Sequence, residues 1–520
     1  MYSKNNLMED EKRKDSTLPS GNNTTTDSSN TYRHVLKYTS IFGGVQGLNM
    51  LISVVRNKLV AVILGPDGMG LASLFNSTVN FVSQTTNFGV SFSAIKNISE
   101  AFGSGDDAKI RHAVSVIRAW AIVTAILGTL VCAIFGAALS DWTFAWGDHT
   151  LHFIVLAPAV GFTAITGGET AILKGTRRLK DLALVQVLAV FSSLVLSIPL
   201  YIAYGQTAIV PAIVLTLFAS MLITILYSYK YYPPQRTNKG FLRNIMAVVA
   251  SPFYKKGKLL RHGMPMIRLG IAFTGAGILG SGAEFLIRAW LNTSGNLDVV
   301  GFYNAGYTMA MVYGGVVFTA METDFFPRLS AVNANQRDCD AVINKQIEAA
   351  LLIISPLLVA FTVCLPIIVP LLLSREFLPI IAMLQVTIFA LYFRALKLPI
   401  AYLTLAKGDS RNYLLLEGYS DILTVIGVIA GYHFFDIAGL GMGLLIAEIA
   451  DVIVLNIYAG KCYGYRSSRR IWLYACEQLP IAVAAYLCVT NMTGIYYWAT
   501  GFILFAISSA ISLFYLKRNN

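Results

Sequence analysis

The sequence predicts an all-α, polytopic membrane protein with about fourteen transmembrane helices. Of its 520 residues, 55% are hydrophobic and only 13% are charged, which is more apolar sequence than a soluble chain of this length can bury. From Tyr38 onward the chain contains fourteen apolar stretches of membrane length, joined mostly by short turns that carry Gly, Pro, Asn or Asp. Basic residues are concentrated in every second loop, as expected for a chain that repeatedly crosses a bilayer.

The predicted spans are residues 38–63, 72–95, 114–138, 151–173, 182–203, 207–229, 263–290, 299–325, 347–373, 378–404, 414–435, 438–459, 472–490 and 495–516. They predict five regions: a disordered cytoplasmic tail (1–32), an N-lobe of spans one to six (33–230), a basic cytoplasmic linker (231–262), a C-lobe of spans seven to twelve (263–461), and two further spans (462–520).

The distribution of basic residues predicts the orientation of the chain. With the N-terminus in the cytoplasm, the even-numbered loops and the two termini hold nearly all Lys and Arg residues outside the spans, whereas the odd-numbered loops hold one, Arg375. This asymmetry predicts that both termini are cytoplasmic. The formal net charge of +12 therefore reflects topology and anionic lipid, and no nucleic-acid partner is expected.

Two pairs of similar segments indicate an internal repeat. LGPDGMG at 64–70 has a weaker echo in NLDVVGFYN at 296–304, and AILKGTRR at 171–178 has one in LAKGDSR at 405–411. Gly301 follows Gly70 by 231 positions and Lys407 follows Lys174 by 233, so six spans repeat in the same orientation. Parallel repeats of this kind are typical of transporters, with the substrate site between the halves.

The second span carries a stripe of polar side chains, which we call the amide stripe. Its members, spaced four, four, three and four residues apart, are Asn76, Asn80, Gln84, Asn87 and Ser91. At about 100° per residue they share one helix face. Because unpaired amides are costly in lipid, the stripe must face other helices or water. It is either an interhelical hydrogen-bonding surface or the wall of a cavity for a hydroxyl-rich ligand. Asn304, in the equivalent span eight, favours the cavity wall.

Several charged residues are predicted to lie within the membrane, where such groups normally face a bundle interior or a water-filled cavity. The basic candidates for binding an anionic group are Arg56, Lys58, Arg288 and Arg394. Arg288 also lies four residues after Glu284, so a local ion pair is an alternative for it. The acidic candidates for binding a coupling ion are Glu169, Glu322 and Asp451, and structural ion pairs are the alternative for each.

No pattern in the sequence indicates catalysis. The six cysteines show no paired metal spacing and fit small core residues. A Walker motif is absent, so ATP is not expected to drive the chain. An enzyme of polysaccharide assembly is disfavoured because no large hydrophilic loop with clustered carboxylates is present. We therefore expect neither an enzyme nor a cofactor.

The segment SIFGGVQGLNMLISVVRNKLVAVILGPDGMGLASLFNS resembles the N-terminal signature of Wzx-type oligosaccharide flippases, the O-antigen translocases of the multidrug/oligosaccharidyl-lipid/polysaccharide (MOP) superfamily. The Pro-x-Leu-Ser turn at 327–330 and the Lys-Gly turns at 174–175 and 407–408 also fit. The resemblance covers residues 39–461, and the long N-terminal tail is unusual for the family.

The resemblance implies a bacterial inner-membrane flippase. Its substrate would be undecaprenyl-diphosphate-linked oligosaccharide, moved from the cytoplasmic to the periplasmic leaflet by two lobes around a cationic lumen. Coupling to a proton or sodium gradient and contact with polysaccharide polymerase or assembly proteins are further expectations. A lipid II flippase and a multidrug/cation antiporter of the same superfamily remain alternatives. The antiporter would require an acidic, aromatic cavity, and a channel fits the repeat less well than a transporter does.

Overall fold

The computed structural model describes residues 24–144, 146–233, 258–315, 318, 325–326 and 328–519. The chain divides into two compact units, Met1–Gly47 and Leu48–Asn520, and the site described below lies in the second. Within these ranges every regular element is helical. The prediction of an all-α membrane protein is therefore confirmed.

We number fourteen helices in chain order. They are α1 (Thr24–Asn87), α2 (Val90–Gly103), α3 (Asp107–Ile134), α4 (Gly136–Thr143), α5 (Thr150–Gly175), α6 (Leu179–Tyr204), α7 (Ile209–Tyr231), α8 (Lys258–Ser294), α9 (Leu297–Tyr307), α10 (Gln336–Leu372), α11 (Ile380–Ala406), α12 (Ser410–Tyr463), α13 (Arg469–Asn491) and α14 (Gly494–Asn519). We call residues 48–233 the first half and residues 258–463 the second half.

Two of the long helices each run through two predicted spans: α12 contains both completely, and α1 contains the first span and most of the second. Gly65 interrupts α1 with a positive φ of 66°, which glycine adopts without strain, and Asp436 interrupts α12 with φ 50°. In the described part of the chain, nine helical stretches are long and apolar enough to cross a membrane, and some of these hold two spans in series. The layout is consistent with about fourteen spans.

The ends of two predicted regions differ from expectation. Helix α1 begins at Thr24, so residues 24–32 of the predicted disordered tail are helical. The predicted span 72–95 is broken between α1 and α2, because Phe88 (φ 48°) and Gly89 (φ 68°) both adopt left-handed backbone conformations. The Asn87 amide spans this break and donates to the Ser91 hydroxyl at 2.9 Å, which periodicity alone cannot reveal. Residues 1–23 and most of the predicted linker, 234–257, lie outside the described residues.

Span eight also departs from a regular helix. After α9 the chain forms a π-helix over Thr308–Tyr313, and most of the remaining predicted span lies outside the described residues. Such π segments frequently occur at functional sites. Here the Tyr313 hydroxyl accepts a hydrogen bond from Asn57 at 2.8 Å, which ties the π-helix to α1.

Large apolar side chains are divided between the core and the outer surface. The core contains fully buried Phe75 and Phe153 in the first half and Tyr392 in the second. In contrast, Phe502 is 70% exposed and Ile446 is 63% exposed. An outer surface this rich in apolar groups is expected where helices face lipid.

The two halves meet closely where the echoed segments 64–70 and 296–304 lie. We call this end of the bundle the Gly65 end, and the opposite end, which carries the Lys174 turn, the Lys174 end. A Cβ atom on Gly70 would lie 2.1 Å from the Leu297 carbonyl oxygen, and one on Gly301 would lie 2.1 Å from that of Pro66. The two repeat-related glycines therefore allow the backbones to touch, and the Gly65 end is closed.

Candidate functional site

A cavity of about 230 Å³ lies between the two halves. We call it the central cavity. Its lining residues come from α1, α6, α8 and α9: Arg56, Asn57, Val60, Met69, Ala72, Ser73, Asn76, Ser77, Asn80, Tyr201, Glu284, Arg288 and Asn304. Two of the four predicted anion-binding residues, two members of the amide stripe and Asn304 therefore lie together in one place.

Arg288 is the most highly connected side chain of the central cavity and is only 6% exposed. Its Nε donates to the Ser73 hydroxyl at 2.7 Å, and its Nη1 donates to the Glu284 carboxylate at 3.2 Å. Its Nη2 donates to the Asn304 side-chain oxygen at 3.4 Å. The Tyr303 ring centroid lies 5.8 Å from the guanidinium carbon. The local ion pair that the spacing to Glu284 indicated is present, and the same guanidinium also joins the two halves.

Arg56 has fewer internal partners than Arg288. Its guanidinium contacts the Tyr201 hydroxyl, and its buried Nε has no hydrogen-bond partner among the described residues. A half-buried guanidinium that lines a cavity can bind a phosphate or carboxylate oxygen. Arg56 is therefore the cavity residue with the most capacity for an anionic ligand.

Lys58 lies away from the central cavity. Its ammonium donates to the backbone carbonyls of Pro370 at 3.3 Å, Leu371 at 2.5 Å and Leu373 at 3.3 Å. Pro370 and Leu371 are in the last turn of α10 and Leu373 directly follows it. Carbonyls at a helix C-terminus have no partner within the helix, and a cation stabilises this end of the helix dipole. Lys58 thus joins α1 to the second half.

Arg394 lies in α11, beside the π-helix. Its Nη1 is 3.6 Å from the Met311 sulfur, and its Nε has no hydrogen-bond partner among the described residues. It is outside the lining of the central cavity. The half-buried guanidinium nevertheless keeps donors free, so it is a second candidate for charge recognition in the second half.

The amide stripe faces away from the core of the first half. Asn76, Asn80 and Gln84 are exposed, whereas Phe75 and Val79 on the other face of the helix are buried. Gln84 lies against α8, where a Cβ on Gly277 would be 3.4 Å from the Gln84 Oε1. Asn87 is half-buried and bonds Ser91. The stripe therefore follows the boundary between the halves from the central cavity toward the Lys174 end.

Glu169 forms a buried ion pair with Arg118. The Arg118 Nε and Nη2 lie 2.8 Å and 3.1 Å from the two Glu169 oxygens. The guanidinium also donates to the Tyr232 carbonyl at 2.7 Å and lies 4.2 Å from the centroid of the Tyr229 ring. Sequence reasoning missed Arg118, although an isolated arginine in the third span was an available signal. Glu169 is thus fully paired within the first half.

Asp451 is paired in a similar way in the second half. One Asp451 oxygen lies 2.7 Å from the Lys397 ammonium and accepts from the Ser420 hydroxyl at 2.8 Å. Glu448 lies 2.8 Å from the same ammonium. The third acidic candidate, Glu322, lies outside the described residues. Within the described ranges, no group of three His, Cys, Asp or Glu side chains is placed to hold a metal ion.

Two solved structures with similar folds are a transporter of the MOP superfamily and a lipid flippase. A structure described as the inward-facing conformation of a multidrug resistance MATE family transporter aligns with a TM-score of 0.64 and 16% identity, covering 82% of this chain and 96% of the other. Lipid II flippase MurJ in an inward closed conformation aligns with a TM-score of 0.63 and 14% identity, covering 92% and 100%. At these identities the likeness shows a shared fold.

Sequence comparisons found one curated relative and one matching family. Stage V sporulation protein B of Bacillus subtilis (strain 168) is 24% identical over 217 residues, which cover 40% of this chain and 42% of that protein. The match thus spans about two fifths of that relative's length. The profile of the family described as "Polysaccharide biosynthesis protein" matches residues 35–333, which is more than half of the chain. This protein therefore belongs to the polysaccharide biosynthesis protein family.

Proposed function

We propose that this protein moves undecaprenyl-diphosphate-linked oligosaccharide, of the O-antigen or a related surface-polysaccharide type, across the bacterial inner membrane. The observation that carries the proposal is the central cavity, where the guanidinium of Arg56 lies with amides from both halves. A diphosphate carries about two negative charges at neutral pH and suits guanidinium donors, while sugar hydroxyls suit amides.

The arrangement supports movement by alternating access. The central cavity lies between two halves that touch through Gly70 and Gly301 at the Gly65 end. The orientation predicted from the basic residues puts this closed end toward the periplasm. In the proposed cycle the ligand enters from the cytoplasm, the halves rearrange, and the Gly65 end opens.

The chemistry of the cavity favours an anionic ligand over a cationic one. Its one carboxylate, Glu284, is paired with Arg288, which leaves Arg56 as the uncompensated charge. A lipophilic cation would be repelled by that guanidinium. The proposed action requires no covalent step, and it is driven by an ion gradient rather than by ATP. The buried carboxylates of the second half are the proposed place for the coupling ion.

Ligand binding to the purified full-length protein tests this proposal. We expect micelle-solubilised protein to bind a prenyl-diphosphate-linked disaccharide, and Arg56→Gln to weaken binding by about tenfold or more, the loss expected for a charged hydrogen bond of about 1.5–3 kcal/mol. Arg56→Lys should bind at an intermediate level. Tight binding of an organic cation dye with no binding of the lipid-linked sugar would instead indicate an antiporter. A strict requirement for a peptide-bearing lipid would indicate a lipid II flippase.

A further inference from the structure

A second cavity lies within the first half, toward the Lys174 end. Its volume is about 320 Å³, and α2, α5 and α7 form its walls. We call it the hydroxyl pocket, because five of its ten lining residues carry hydroxyls: Ser91, Thr163, Thr166, Thr170 and Ser220. A volume of this size is at the lower end of the range for small-molecule sites and suits a group of one or two rings.

One wall of the hydroxyl pocket is a regular stripe on α5. Thr163, Thr166, Thr170 and Lys174 are spaced three, four and four residues apart, so they share one helix face. Thr163 and Thr166 donate to the carbonyls of Ala159 at 2.9 Å and Phe162 at 2.7 Å. Each hydroxyl oxygen therefore keeps lone pairs that can accept from a ligand.

Lys174 provides the charge of the hydroxyl pocket. It is exposed at the end of α5, and among the described residues no carboxylate forms a salt bridge with it. Arg177 and Arg178, three and four residues further on, add positive charge at the same end. An exposed ammonium beside a pocket lined by both hydroxyls and apolar side chains is suited to a ligand with an anionic group attached to a sugar, because a sugar ring has hydroxyl edges and an apolar face.

The hydroxyl pocket is continuous with the amide stripe. Ser91 lines the pocket, and its hydroxyl accepts the Asn87 amide at 2.9 Å, which leaves the Ser91 proton available to a ligand. The same polar face that lines the central cavity at Asn76 and Asn80 therefore reaches the hydroxyl pocket at its other end. Gly167 lets α5 and α2 approach, because a Cβ there would lie 2.5 Å from the Ser91 Oγ.

We propose that the hydroxyl pocket is a second saccharide site. It receives a sugar ring of the lipid-linked glycan among the serine and threonine hydroxyls, with the adjoining phosphate at Lys174. The inference rests on the proposed function and deepens it by giving the substrate a place of first contact at the Lys174 end. From there the amide stripe leads to the guanidinium of Arg56.

Isosteric variants test this site. The double variant Thr166→Val/Thr170→Val removes two hydroxyls while it preserves side-chain shape, and Lys174→Gln removes the charge. The probes are a prenyl-diphosphate-linked disaccharide and the same prenyl diphosphate without sugar. We expect the double variant to lose about tenfold in affinity for the saccharide lipid, as for two neutral hydrogen bonds, and to bind the sugar-free lipid as the wild type does. Lys174→Gln should weaken binding of both lipids.

The matched control is Thr362→Val in α10. Thr362 donates to the Leu358 carbonyl at 2.8 Å, the same local bond that Thr166 makes, but it lies outside both cavities. A photoreactive group carried on the sugar should also label the α5 peptide that contains residues 163–174 in the wild type. Neither the binding affinity nor the photolabelling depends on transport activity.

The outcomes separate this inference from the proposed function. Equal affinity of the double variant and the wild type for the saccharide lipid, with Arg56→Gln still weakening it, would overturn the second site alone. An equal loss for both lipids in the double variant would mean that the pocket holds the prenyl chain, which also overturns it. A wild-type protein that binds neither lipid would overturn the proposed function together with the second site.

Discussion

The Arg288 Nε lies 2.7 Å from the Ser73 hydroxyl, although 215 positions separate the two residues in the chain. The same guanidinium bonds Glu284 and Asn304. One buried side chain therefore ties α1 to α8 and α9 along the wall of the central cavity. The charge of Arg288 is largely balanced by its own partners in the protein, whereas that of Arg56 is available to a ligand.

Arg56 and Lys58, two residues apart, are expected to behave differently when neutralised. Arg56→Gln should abolish most transport of glycan to the cell surface with an unchanged melting temperature, because its side chain lines the central cavity. Lys58→Gln should lower the melting temperature, since it removes a charged cap worth about 1 kcal/mol from the end of α10. The check is to measure the amount of surface glycan in cells and the melting temperature of the purified protein for both variants. Loss of stability in Arg56→Gln with normal stability in Lys58→Gln would mean that Arg56, and not Lys58, has the structural role.

The Arg118–Glu169 pair is expected to be structural. Side-chain exposures are 7% and 4%, and removal of one partner from a buried pair costs about 3–5 kcal/mol. Glu169→Gln should therefore lower the melting temperature and the protein level in the membrane, and Arg118→Gln/Glu169→Gln should recover part of the loss. The melting temperatures of the single and double variants give the interaction energy between the two side chains. If Glu169→Gln is fully stable yet inactive, Glu169 has a role in ion coupling instead.

Added bulk at the glycine contact should open the Gly65 end. Gly70→Ala or Gly301→Ala would place a methyl carbon 2.1 Å from a carbonyl oxygen of the other half, which the closed state cannot accommodate. Spin labels at Thr207 and Leu378, in a cysteine-free background, should report a longer distance between the halves. Gly103→Ala is the matched control, because nothing lies within 4 Å of its Cβ position. An unchanged short distance in both variants would show that the contact between Gly70 and Gly301 does not control opening of the Gly65 end.

Closure of the Gly65 end should depend on pH. The side chains of Asp67 and Asp298 are hydrogen-bonded to each other, and this bond, followed by burial and the Asp298 charge, raises the pKa of Asp67 to about 6. The carboxylate of Glu376, 3.2 Å from the Cβ position of Gly65, adds negative charge nearby, next to Arg375. The closed state therefore binds a proton more tightly than an open state in which Asp67 has its ordinary pKa. Closure is favoured at low pH and lost as the pH rises through about 6.

The same spin labels measure this pH dependence. The fraction with a short distance should rise as the pH falls from about 7 to about 5. Asp67→Asn should remain closed across that range, because its amide donates to Asp298 without needing a proton. Asp141→Asn neutralises another exposed carboxylate of the first half and should keep the wild-type response. A wild-type distance that does not change with pH would contradict a proton held between Asp67 and Asp298. So would an Asp67→Asn distance that changes with pH as much as the wild-type distance does.

Much of the central cavity could be predicted from the sequence. The spacing of Asn76 and Asn80 indicates a shared polar face, and the 231-residue repeat identifies Asn304 as belonging to the opposite wall. Helix periodicity and repeat offsets are local or regular features, so a sequence alone displays them. The cavity in which these residues meet Arg56 and Arg288 is consistent with both signals.

The remaining features depend on contacts that no periodicity encodes. Lys58 bonds carbonyls more than 300 positions away, and Arg118 meets Glu169 across 51 positions. Such partners are set by how helices pack rather than by spacing along one helix. The break at Phe88 and Gly89 was also missed, because an apolar run with one glycine is compatible with a continuous helix.

Translocation in reconstituted vesicles tests the central claim most directly. Proteoliposomes would carry a fluorescent prenyl-diphosphate-linked disaccharide in both leaflets, and a membrane-impermeant quencher would report its movement. We expect wild-type protein to make the whole pool accessible and Arg56→Gln to leave about half of it protected, as in protein-free vesicles. If the quencher reaches the same fraction of the lipid with wild-type protein and with Arg56→Gln, recognition of the diphosphate through Arg56 is contradicted. The same holds if neither protein raises this fraction above that of protein-free vesicles.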